Sequence, residues 1–201
     1  MQKYKTLDQF IKQVFPLPAD LKIKESGLVR RRARALTVLL LTTSATVWFW
    51  ALVLTVLYLI FKFDILLNVY FAYVVSVLMG LQIWGFYRFA NFRIASMLFS
   101  LTYFLMTLSL VLMNGGYHSP SMFLLLSSPV VSFRTGGKDE GIMNAIFVGI
   151  TGLSLAGISW LGISIANLLT GLDERFFFAI VWVVTLSIIS SCMVTYDMDE
   201  E

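Results

Sequence analysis

Past its first 34 residues the chain is a succession of long apolar runs separated by short polar breaks. Crossing a hydrocarbon core takes about 20 mostly apolar residues. On that measure the runs predict spans at 35–61, 66–87, 94–113, 121–133, 142–167 and 176–196. The head of the chain has a different rhythm. Thr6 and Gln9 have the spacing of a capping box, and Leu7, Phe10, Ile11, Val14 and Phe15 follow at helical intervals until Pro16 and Pro18. This predicts a short amphipathic helix over 6–15, lying at the membrane surface with Lys3, Lys5 and Lys12. The expected fold is all-α, a polytopic transmembrane helix bundle of six spans with a short, proline-broken fourth helix. Residues 1–34 form a cytoplasmic head, 35–196 the membrane domain and 197–201 the start of an exit helix.

Composition supports the membrane reading. Hydrophobic residues make up 58%, charged residues 13%, and mean hydropathy is +0.82; soluble domains have about 45–50% and about 25%. Charge then sets the expected orientation. Arg30, Arg31, Arg32 and Arg34 abut the first apolar run, and with six crossings every Lys and Arg except Lys62 and Arg175 falls on one side. The positive-inside rule makes that side cytoplasmic, with both termini on it. A basic run can also bind nucleic acid, but its place directly before a span argues for topology. The fourth run is short for a crossing. Re-entry would carry Arg134 and Lys138 to the other side and weaken the charge asymmetry, so a short crossing helix is expected.

Candidate chemistry is sparse. No Asp, Glu, Lys or Arg lies mid-span, which disfavours a pump or charge-coupled transporter. The single histidine, His118, excludes bis-histidine haem ligation and a multi-histidine zinc site within one chain, and the single Cys192 reads as packing. No P-loop or nucleophile elbow is present. No catalytic residue, metal site or cofactor is assigned. Within the spans, Thr42, Thr43, Ser44, Thr46 and Thr107 have carbonyls of their own helices in reach, while Gln82 and Asn144 need water or a neighbouring helix. The fifth span carries small residues at steps of three and four, including Gly149, Gly152, Ala156, Ser159 and Gly162, which predicts a helix-packing face.

One stretch, 114–141, combines turn chemistry, proline and charge. Asn114, Gly115 and Gly116 stop the third span, Pro120 suits the first turn of the next helix, and Tyr117, His118 and Ser119 sit in the loop between them. Pro129 should break the fourth helix and free the Leu125 carbonyl, with Ser127 or Ser128 in position to compensate. Arg134 to Gly141 reads as a solvated polar turn.

Gly115, Gly116, Ser119, Pro120, Pro129, Gly136 and Gly137, with Arg31, Arg32 and Arg34, form an order that resembles the N-terminal six-helix membrane region of bacterial sensor histidine kinases. Related regions occur in membrane adenylate and diguanylate cyclases. The resemblance implies a sensor or anchor module, a homodimer, and a cytoplasmic output domain that residues 1–201 do not contain. It makes this chain the membrane part of a two-component receptor, detecting a small lipophilic or extracellular signal. Asn114, Tyr117, His118 and Ser119 are then the candidate ligand contacts. Two other readings stand beside it: a neutral-solute carrier or channel, and a passive membrane anchor and dimerisation unit of a nucleotide cyclase.

Overall fold

The computed structural model describes residues 27–61, 66–163 and Ile165. The predicted amphipathic helix 6–15, the sixth span 176–196 with Cys192, and the exit segment 197–201 lie outside the described residues. Five α-helices and one 3-10 turn make up the described chain: α1 (Gly27–Phe61), α2 (Leu66–Phe89), α3 (Phe92–Met113), the turn Gly116–His118, α4 (Met122–Thr135) and α5 (Lys138–Trp160). Helices α1, α2, α3 and α5 are long and apolar enough to cross a membrane. At 14 residues, α4 spans only about 21 Å.

Three boundaries differ from expectation. Helix α1 is already formed at Gly27, the first residue of this described segment and well ahead of the apolar run, so it includes Arg30, Arg31, Arg32 and Arg34; arginine is a good helix former and nothing in this stretch stops the helix. Helix α4 continues through Pro129 instead of breaking there. Ser127 donates to the Leu124 carbonyl at 2.7 Å, not to that of Leu125, and neighbouring helices hold the segment straight enough to remain helical. Helix α5 ends at Trp160, short of residue 167. Gly162 adopts φ +73°, its N–H bonds to the Ser159 carbonyl at 3.0 Å, and the Ile163 N–H bonds to that of Ile158 at 3.2 Å. This is a Schellman stop, for which glycine is the preferred residue. Gly162 therefore ends the helix rather than extending its small-residue face.

Helix α1 packs along α2, α3 along α4, and α4 along α5, while α4 also reaches α1. Leu36, Leu39, Val75, Met79, Phe99, Tyr103, Leu124 and Val131 form one core shared by α1 to α4. Val111, Leu125, Val148 and Leu155 form a second, between α3, α4 and α5. Adjacent Leu124 and Leu125 thus anchor α4 in both. Polar and apolar residues are distributed as a bilayer requires. Ser96, Thr107, Ser128, Ser132 and Thr135 are fully buried, while Leu59, Trp84, Ile94, Ile150 and Leu153 are exposed.

The joint between α4 and α5 depends on the absence of side chains. Gly137 has φ +96° and ψ −164°, a conformation open essentially to glycine alone, and a Cβ there would lie 2.5 Å from Nη1 of Arg32. A Cβ on Gly136 would overlap the Glu140 carboxyl, and one on Gly141 the Phe133 ring. By contrast, a Cβ on Gly149 or Gly152 meets nothing within 4 Å among the described residues. Gly137→Ala should therefore cost about 1–3 kcal/mol of stability, and Gly149→Ala should stay within about 0.5 kcal/mol of the parent. Unfolding of the purified variants in mixed micelles measures both.

Candidate functional site along a polar seam

Helix α5 is fastened to the rest of the bundle by polar bonds at three levels. At the loop end, His118 Nε2 and Ser159 Oγ share a hydrogen bond of 2.9 Å, linking the 3-10 turn to the last turn of α5. In the middle, the Asn144 amide sits between two serines of α4. Ser128 donates to its Oδ1 at 3.1 Å, and its Nδ2 donates to Ser132 at 2.6 Å. At the arginine-rich end, Ser96 of α3 donates to Glu140 Oε1 at 3.0 Å. A further bond of 2.9 Å between Tyr103 and Ser127 ties α4 to α3.

Helical spacing accounts for the middle level. Ser128 and Ser132 are four residues apart and share one face of α4, so an amide placed between them finds an acceptor and a donor one turn apart. All three side chains are buried. Three of the threonines follow expectation, while Thr43 Oγ1 is buried without a hydrogen-bond partner. Thr42 donates to the Val38 carbonyl at 2.8 Å, Thr46 to Thr42 at 2.8 Å and Thr107 to Tyr103 at 3.0 Å. Gln82 donates to Thr102 on the neighbouring helix.

The candidate ligand contacts divide in two. Tyr117 and His118 are exposed, with their rings edge to face at 5.5 Å. Asn114 and Ser119 are buried: Asn114 Nδ2 donates to Ser121 Oγ at 3.3 Å, and Ser119 Oγ accepts from the Ser121 N–H at 3.1 Å. Asn114 Oδ1 is buried without a hydrogen-bond partner. The loop is thus folded inward, with Ile165 packed over Gly116. Of the packing stripe, Ser159 meets His118 and Ala156 is half-buried. Gly149 is exposed and Gly152 half-buried.

Glu140 departs furthest from the expected solvated turn. It is half-buried, Oε2 has no hydrogen-bond partner, and Arg93 and Arg32 both lie within electrostatic reach. Burial disfavours its ionised form, while the bond from Ser96 and the two guanidinium fields favour it. Among the described residues, no three His, Cys, Asp or Glu side chains stand close enough to hold a metal ion.

Fold and seam together define a class: the described residues are all-helical, with four helices of membrane-spanning length and composition and a hydrogen-bonded interior. Comparison of the chain with family models, curated proteins and solved structures gives no match.

Asn144→Leu removes both middle bonds and leaves two serine hydroxyls facing an alkyl chain. The expected loss is about 1–2 kcal/mol, since interhelical bonds in membranes average about 0.6 kcal/mol and reach about 1.7 kcal/mol. A double-mutant cycle with Ser128→Ala should show coupling, measured as unfolding free energy in micelles.

Proposed function

We propose that the chain is the membrane-embedded input module of a signal-transducing receptor, of the sensor histidine kinase kind. The observation that carries this reading is the three-level fastening of α5, which links the exposed Tyr117 and His118 turn to the half-buried Glu140 carboxyl through one helix. A signal that binds two arrangements of the loop unequally would shift α5 and, with it, the arginine-rich end. The serine, proline and glycine order of residues 115–137 supports the same assignment through its resemblance to sensor-kinase membrane regions.

In this reading the bundle has six crossings, both termini are cytoplasmic, and the receptor works as a homodimer in a bacterial plasma membrane. Support for a crossing α4 comes from where it ends. The turn after it lies beneath Arg32 of α1, and the next residues reach Ser96 at the start of α3. A re-entrant segment would instead return to the loop end.

Fusing residues 1–201 to the cytoplasmic dimerisation and catalytic parts of a histidine kinase tests the proposal. Autophosphorylation in inverted vesicles should change about fivefold or more on His118→Ala or Asn144→Leu at equal protein level, the scale of a typical coupling free energy. If both variants match the parent, and an unrelated dimeric membrane domain substitutes without loss of regulation, the module is a passive anchor. Flux of a neutral solute through liposomes bearing the unfused chain would instead favour a carrier.

A further inference from the structure

Among the described residues, the arginine-rich end carries more basic than acidic side chains. Nη1 of Arg32 of α1 lies at the Gly137 joint, Arg93 stands in the first turn of α3 three residues before Ser96, and both guanidinium fields act on the Glu140 carboxyl, to which Ser96 donates at 3.0 Å. The other carboxylate there among the described residues, Asp139, is exposed, as is Lys138. Gly137, the residue capping α5, offers no side-chain cap, so the first amides of that helix add a partial positive charge. Guanidinium pairs on a rigid frame suit the oxygens of a phosphate group.

What lies beside this end selects the kind of phosphate. On α3, Arg93 begins a ridge that continues at intervals of four through Met97, Leu101 and Leu105, which are 57%, 53% and 49% exposed. This ridge runs from a cationic head along an apolar face of the length of an acyl chain. A free phosphate would use only its first residue.

We infer that Arg32 and Arg93 form a binding site for the headgroup of an anionic glycerophospholipid whose acyl chain lies along Met97, Leu101 and Leu105. Glu140 is the site's built-in counter-ion. It offsets part of the arginines' charge when no lipid is bound and competes with the phosphate when one is. The inference rests on the membrane character of the bundle and is independent of the signalling reading.

The test uses the purified 201-residue chain in nanodiscs of mixed phosphatidylglycerol and phosphatidylcholine, with retained lipid counted by native mass spectrometry. The parent should retain phosphatidylglycerol in preference. Arg32→Gln and Arg93→Gln should each lower the ratio of retained phosphatidylglycerol to phosphatidylcholine about fivefold, and Arg93→Lys should lower it less. Glu140→Gln should raise the ratio, a gain that misfolding would not produce. Arg88→Gln, which removes an exposed arginine not acting on Glu140, should leave it unchanged. An equal loss with Arg88→Gln would reduce the effect to diffuse surface charge and overturn the site. So would the absence of any preference in the parent. Displacement of phosphatidylglycerol by millimolar inorganic phosphate would overturn the lipid assignment.

Discussion

The amide of Asn144, held between Ser128 and Ser132, is the contact on which the arrangement of α4 and α5 most depends. In an apolar slab no water is at hand to replace a lost partner, so an amide must find both a donor and an acceptor in the protein. The two serines supply them one turn apart on a single helix. That requirement fixes the register of α5 on α4 more sharply than leucine contacts would, because apolar side chains accept many offsets and an amide does not. The adjoining face of α4 carries Ser127, which bonds to Tyr103 of α3. A helix of 14 residues therefore aligns both of its neighbours.

The shortness of α4 shapes both ends of the bundle. At the loop end it leaves room that the chain fills by folding inward, which is why Asn114, Ser119 and Ser121 are buried and hydrogen-bonded to one another. At the other end the turn closes tightly under α1. Two consecutive glycines allow this, since Arg32 occupies the place of a side chain at Gly137 and the Glu140 carboxyl does so at Gly136. Glu140, in the first turn of α5, also suits the partial positive charge of the helix start.

Much of this fold was legible in the sequence because apolar length is a strong signal. The positions of α2 and α3 follow from their runs, and the Asn91 side chain, accepting from the Ile94 N–H at 3.1 Å, starts α3 where the polar break predicts. What escaped was tertiary in origin. Nothing local distinguishes Glu140 from its solvated neighbours Lys138 and Asp139; its burial follows from Ser96, 44 positions away in sequence. Gly162 fitted the spacing of a packing face as well as it fits a helix stop, and only its positive φ separates the two roles. The clamp around Asn144 left a partial trace, because Ser128 and Ser132 at an interval of four on an apolar helix call for a polar partner, although they do not name it. Pro129 was over-read: loss of one backbone bond does not interrupt a helix that its neighbours enclose.

The seam also gives α5 a preferred direction of travel. Moved one turn toward the loop end of α4, Asn144 would keep Ser128 within reach but lose Ser132 and meet Leu124 and Leu125, which offer no side-chain polar partner. Moved toward the arginine-rich end, it would keep Ser132 within reach and approach Thr135, whose hydroxyl now bonds to the Val131 carbonyl at 3.0 Å. The first displacement leaves one amide group without a partner at a cost of about 1–3 kcal/mol, while the second exchanges one hydrogen bond for another. The exchange is limited in turn by Glu140, which is already pressed against Gly136 and has no space to advance unless its bond to Ser96 opens. The serine clamp and the glutamate latch thus act in series. An influence that loosens Glu140 from Ser96 frees the one direction in which α5 can slide without losing its buried polar partners.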